Sequence, residues 1–299
     1  MHHSRFNLRR RPFPASPDLA AYYPATTHEA ALATLLDGLA DGEGVLVLTG
    51  PPGTGKTLLA HALAERLGDS AEVCLLAHSG GRAGLLQSLL FDLALPHEGR
   101  PEQEMRLALI AHLLAKFRDG KKTVLLADEA HLLPGDVLEE LRLLGNLEGP
   151  GGKAVQVALI GLPELLQVLQ RPELASLRQR AAVRARLDPL GVEEAADYVL
   201  HHLRAAGGDT DAILDPEALE MLAKATRGVP RRLNQAAHLA LRLAEAGEAE
   251  RVDVEAVLEA LSQLGLPGGV AEPTESGVML IPPTEDDAGF RLYAPGRPA

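Results

Sequence analysis

The 299-residue sequence contains no tryptophan, and Phe and Tyr together make up only 3% of it. With so few rings there is no platform on which nucleobases could stack, and the cores must be aliphatic. A single cysteine, Cys74, excludes an intramolecular disulfide and every multi-cysteine metal site. Lying in the apolar run Val73 to Ala77, it reads as a small buried core residue. No stretch approaches the roughly 20 apolar residues of a membrane-crossing helix. Arg9, Arg10 and Arg11 are followed by Pro12, Phe13, Pro14 and Pro17 instead of an apolar segment, so neither a secretory nor a twin-arginine signal fits. A cytoplasmic location is the expectation. The eleven histidines lack zinc-ligand spacing, His2-His3 and His201-His202 being adjacent rather than a helical turn apart. A net charge of −12 argues against a general polyanion binder, so any nucleic-acid contact must be local.

What the sequence has in quantity is Leu and Ala. Hydrophobic residues are 46% of a chain long enough for one α/β domain and a smaller one. Residues 1–24, rich in Arg and Pro and without period, read as an extended basic arm leading into a helix over Thr27 to Leu39. Over 25–190, short apolar runs alternate with helical spacing. The strand candidates are Val45 to Thr49, Glu72 to Ala77, Thr123 to Ala127, Val155 to Ile160 and Ala182 to Leu187. Helices between consecutive strands imply a five-stranded parallel sheet covered on both faces. Over 191–264 only helical segments recur, near 192–205, 215–226, 230–246 and 252–264. From 265 to 299 Pro, Gly and acidic residues accumulate, as in a disordered tail.

The octapeptide Gly50-Pro51-Pro52-Gly53-Thr54-Gly55-Lys56-Thr57 has the G-x-x-x-x-G-K-[ST] spacing, directly after a strand and directly before the helix that Leu58 continues. Glycines let the main chain turn until its N–H groups converge on phosphate oxygens, and the helix start adds its positive end. In this reading Gly50 to Leu58 cradle ATP, Lys56 reaches the β and γ phosphates and Thr57 ligates Mg²⁺. Chance gives such a spacing about once in 10⁵ starting positions. The run Thr123 to Glu129 is an apolar strand ending in two carboxylates. Asp128 is placed to hold Mg²⁺ through its water shell and Glu129 to orient or deprotonate the attacking water. Another strand intervenes between the two motifs, which favours hydrolysis over mere binding.

Asp128-Glu129-Ala130-His131 spells the name of a helicase group, but such helicases need a second nucleotide-gripping domain. Here the sheet is followed only by a helical unit of about 75 residues. Arg178 and Arg180 close a helix just before the last strand, where an arginine can enter a neighbouring subunit's site, or lie solvated at a helix end. Arg231 follows Gly228-Val229-Pro230, a turn that can aim it from the lid toward the γ-phosphate. The alternative is a surface arginine at a helix start. His78 ends the second strand, near Glu129 in such an architecture.

Taken together the motifs resemble an AAA+ P-loop NTPase with a RecA-like sheet and a C-terminal helical lid. More narrowly they resemble the ExeA/GspA family of secretion and pilus-assembly ATPases, related to the transposition ATPases TniB and TnsC. The likeness runs from Phe6 to Phe13 through Leu141 to Glu148, Gly161 to Leu165, Leu177 to Arg180 and Gly228 to Arg231. It implies ATP and Mg²⁺, rings or filaments of identical subunits sharing active sites, and a remodelling role on a secretion or pilus partner. Two positions and the expected tail depart from the family. Leu162 stands where relatives often carry a polar γ-phosphate sensor, and His78 where an Asn is usual. A short polar tail replaces the membrane span and peptidoglycan-binding domain of the secretion members. Two rival functions follow: a DNA-associated regulator that uses the Arg9–Arg11 arm, and a nucleotide-gated scaffold with little hydrolysis.

Overall fold

In the computed structural model the described residues are 6–14, 16, 18–76 and 80–267. His78, the end of the second expected strand at Ala77 and nearly all of the expected tail lie outside them. Five runs rich in aliphatic residues form one sheet: β1 (Val45–Thr49), β2 (Ala71–Leu76), β3 (Lys122–Ala127), β6 (Val155–Gly161) and β7 (Ala181–Arg186). Their order is β2-β3-β6-β1-β7 and all four pairings are parallel. β1 and β6 are buried at every position, as strands covered on both faces must be. A hairpin of two-residue strands, β4 (Glu148–Gly149) and β5 (Gly152–Lys153), precedes β6 and has no counterpart in the sequence expectation.

The connections are helical: α1 (Thr26–Ala40), α2 (Lys56–Leu67), α3 (Arg82–Asp92), α4 (Glu102–Arg118), α5 (Gly135–Leu144), α6 (Glu164–Val168) and α7 (Ala175–Arg180). Leucines of α1 and α2 cover one face of the sheet, with Leu32, Leu35, Leu59 and Leu63 fully buried. Those of α3, α4 and α5 cover the other. A doubly covered parallel sheet collects ligand-facing loops at its carboxyl edge. The loop after β1 and the carboxylates after β3 therefore emerge side by side, separated by the end of β6.

The lid comprises α8 (Val192–Ala205), α9 (Thr210–Ile213), α10 (Pro216–Ala225), α11 (Pro230–Ala246) and α12 (Val254–Gln263). Pro216 and Pro230 open their helices at the position where a missing N–H costs nothing. Asp215 and Asp253 cap α10 and α12, accepting from the N–H groups of Glu217 and Ala256. The N-terminal segment completes this core. Phe6, Leu8 and Phe13 are buried among the lid helices, and the Arg9 N–H (2.9 Å) and Arg10 Nε (3.1 Å) donate to the carbonyls of Ala206, the C-cap of α8, and Ala205, its last residue. These two bonds satisfy acceptors that a helix end leaves free.

Candidate functional site

The loop between β1 and α2 owes its shape to glycine. Gly53 (φ +81°) and Gly55 (φ +98°) occupy the left-handed region. A Cβ on Gly50 would stand 2.5 Å from the Leu187 carbonyl oxygen, and one on Gly53 would stand 2.8 Å from the Arg231 Cβ. Thr54 ties the loop from within, its hydroxyl donating to Pro51 O at 2.9 Å. Pro52 is exposed at the tip and Leu58 lies half-buried in the first turn of α2.

Lys56 is 6% exposed, and its ammonium donates to Gly50 O and Pro51 O at 3.0 Å each. Burial pushes its pKa down; the Glu129 and Asp128 carboxylates oppose this, and the Arg231 charge adds to it. The Thr57 hydroxyl donates to Asp128 Oδ2 at 2.6 Å, and Asp128 Oδ1 accepts the Glu129 N–H at 2.9 Å. Asp128 is itself fixed to β2 by its N–H, which donates to Leu76 O at 2.8 Å. Glu129 holds a left-handed backbone (φ +51°), a conformation disfavoured for a residue with a Cβ. Its side chain is half exposed.

The lid meets this site through main-chain bonds. Arg231 N–H donates to Gly53 O at 3.1 Å, and Leu190 N–H to Gly228 O at 2.9 Å. Gly228 (φ +65°) permits the second contact, since a Cβ there would fall 1.9 Å from Leu190 O. Arg178 and Arg180 lie elsewhere. They end α7 at the amino edge of β7, whose Ala181 pairs with Val45 at the start of β1, whereas the loop follows the end of β1. Six strand residues separate the two edges by about 20 Å. Arg178 donates to Gln170 Oε1 at 2.6 Å, and Arg180 is the last residue of α7.

A family model described as "AAA domain" matches residues 39–169. General secretion pathway protein A of Aeromonas hydrophila is 41% identical over 232 residues, 77% of this chain and 42% of that protein. The chain is a GspA-like AAA+ protein. It spans less than half the length of that relative. Among solved structures, Cdc6p of Pyrobaculum aerophilum superposes with a TM-score of 0.69 at 19% identity, over 86% of this chain and 71% of that one. The ORC2 protein of Aeropyrum pernix, solved with ADPNP and ADP, gives 0.66 at 18% identity over 85% and 71%. These two establish the P-loop AAA fold: five parallel strands with a helical lid behind them.

Two histidines at the AAA+ site escape sequence reasoning. His28, in the first turn of α1, is 5% exposed, and its Nε2 donates to Thr54 O at 2.9 Å beneath Gly55. Burial lowers its pKa, so it serves the loop as a neutral ring. His131 packs against Gly161, with Nδ1 3.4 Å from the Leu162 nitrogen and 3.5 Å from Glu129 Oε2. His28 falls in no pattern, and the tetrapeptide ending in His131 gave that ring no role; only folding brings α1 under the loop and β6 beside β3.

Proposed function

We propose that the chain binds and hydrolyses ATP with Mg²⁺, and does so at an interface between identical subunits. The observation that carries this is the convergence of a buried ammonium, the Thr57–Asp128 pair and the Glu129 carboxylate on one glycine-shaped loop. Thr57 Oγ1 and Asp128 Oδ2 form a hard oxygen pair. Among the described residues no group of three or more His, Cys, Asp or Glu side chains is arranged to hold a metal ion. That donor set suits Mg²⁺, which completes its shell with water and phosphate oxygens instead of a protein cage. When bound, the ion neutralises charge on the phosphates.

The residues then divide the labour. Main-chain N–H groups from Gly50 to Leu58 receive the phosphates, and Lys56 supplies positive charge at the β and γ positions. Glu129 orients a water and takes its proton as attack proceeds. Arg231, tied to Gly53 by its own N–H, links the lid to whatever occupies the loop. Arg178 and Arg180, at the opposite sheet edge, serve the site of a neighbouring subunit, since they stand too far from their own. A ring or filament follows.

The likeness to general secretion pathway protein A supports a secretion-related role; within it we propose a cytoplasmic ATPase that drives assembly or remodelling of a secretion or pilus complex. A DNA-bound regulator finds less support, because the arm it would use is engaged: Arg10 bonds Ala205 O and pairs with Asp18 at 3.5 Å. The test is turnover by Glu129→Gln, expected to bind ATP as the parent does while losing at least about 100-fold in kcat. Equal turnover would remove Glu129 from the chemistry. Arg178→Ala/Arg180→Ala subunits mixed with Lys56→Ala subunits should recover activity that neither has alone. No recovery at any ratio would count against a shared site.

A further inference from the structure

Leu162 directly follows β6 at the carboxyl edge, beside the site, with a side chain that can neither donate nor accept a hydrogen bond. The neighbouring structure fills that chemical gap. After Glu129 the chain makes a single tight turn, Ala130–Leu132, closed by the Leu132 N–H donating to Glu129 O at 2.9 Å. The turn folds residue 131 back alongside residue 129. Its ring, 11% exposed, lodges against Gly161, where a Cβ would stand 3.2 Å from Nδ1 and 3.3 Å from the His131 main-chain nitrogen. The missing side chain at 161 is what gives the imidazole its seat.

In that seat one nitrogen faces two partners of opposite kind. The Leu162 N–H lies 3.4 Å from Nδ1 and Glu129 Oε2 lies 3.5 Å from it. Nδ1 without a proton accepts from Leu162; Nδ1 with a proton donates to Glu129; it cannot do both. Both separations are at the long end of hydrogen bonding, so a small shift of either partner decides which bond is made. We propose that His131 is a positioning residue, whose Nδ1 couples the main chain at the end of β6 to the carboxylate of Glu129. It thereby stands in for a polar side chain at 162. The inference rests on the ATPase reading above for its kinetic consequence, but not for the contact itself.

Three variants of the full chain test it with Mg²⁺ and ATP. His131→Leu preserves ring-sized packing without polar atoms, His131→Ala removes both, and His131→Gln supplies an amide whose oxygen accepts from Leu162 while its nitrogen donates to Glu129. The Leu and Ala variants should keep ATP affinity within about twofold and lose about tenfold or more in kcat, and Gln should recover to within about threefold of the parent. Unchanged kcat in the Leu variant, an affinity loss as large as the kcat loss, or a Gln variant no better than Leu would each overturn the assignment. The contact has a readout that needs no turnover. In the ¹⁵N spectrum of the nucleotide-free protein, Glu129→Gln should shift the His131 Nδ1 resonance. An unmoved resonance overturns the proposal, whereas a parent protein that never hydrolyses ATP overturns only the ATPase reading.

Discussion

The base and the lid solve the same packing problem with different materials. No aromatic side chain is among the buried members of the two clusters that sandwich the sheet; leucine, valine and alanine make up nearly all of both, with Cys74, Met105 and Ile160. The lid core contains Phe6, Phe13 and Tyr198, two of them lent by the N-terminal segment. A five-stranded sheet offers two broad faces that branched aliphatic residues fill by themselves. Five short helices leave a more irregular interior, and rings delivered from elsewhere in the chain close it. The base therefore carries its candidate site residues at its own strand ends, while Arg231 depends on a lid core that residues 6–14 help to fill.

The largest expected effect breaks that dependence. Phe13→Ala removes a ring that is 1% exposed in the lid core and should destabilise the protein by about 3–5 kcal/mol. Hydrogen exchange should show the lid helices opening while β1, β3 and β6 stay protected; uniform opening would mean that the two regions are not separable.

Acid should act on the same joint. His202 packs on Tyr198 (ring centroids 4.3 Å) and Phe13 (5.8 Å), and its pKa falls from 6.5 to about 4. Burial is the main cause and neighbouring His201 the next, with the Pro12 carbonyl opposing them. Between those values the unfolded chain binds a proton that the folded one refuses. Stability is therefore intact above about pH 6.5 and declines as pH falls toward 4, by about 3 kcal/mol in all. Denaturant midpoints against pH should show this slope, and His202→Phe should flatten it.

The smallest effect sharpens the boundary itself. Gly53→Ala puts a Cβ at φ +81° and 2.8 Å from the Arg231 Cβ, at a cost of about 1–2 kcal/mol. It should weaken ATP binding about tenfold by pushing lid from loop. Calorimetric titration checks it.

The same contrast explains what the sequence disclosed. β1, β3 and the loop were legible because an apolar run, a glycine spacing and a helix start are contiguous, and local chemistry dictates each. The lid helices were legible from their spacing, and the start of α11 from Pro230. The docking of Phe6, Leu8 and Phe13 was not, because three apolar residues among arginines and prolines have no period, and their partners lie roughly 190 residues onward. The β4–β5 hairpin was equally hidden: its strands have two residues each, and Gly149 is required by the Phe117 ring, 2.6 Å from where a Cβ would be. His28 and His131 take their meaning from main-chain atoms of Thr54 and Leu162, which no side-chain pattern announces.

Calorimetric titration of Mg²⁺ and ATP into the parent chain and into Lys56→Ala tests the central claim most directly. One saturable site in the parent, weakened at least about 100-fold by loss of the buried ammonium, is the predicted result. Equal affinity in the two proteins, or no binding by the parent, would contradict it.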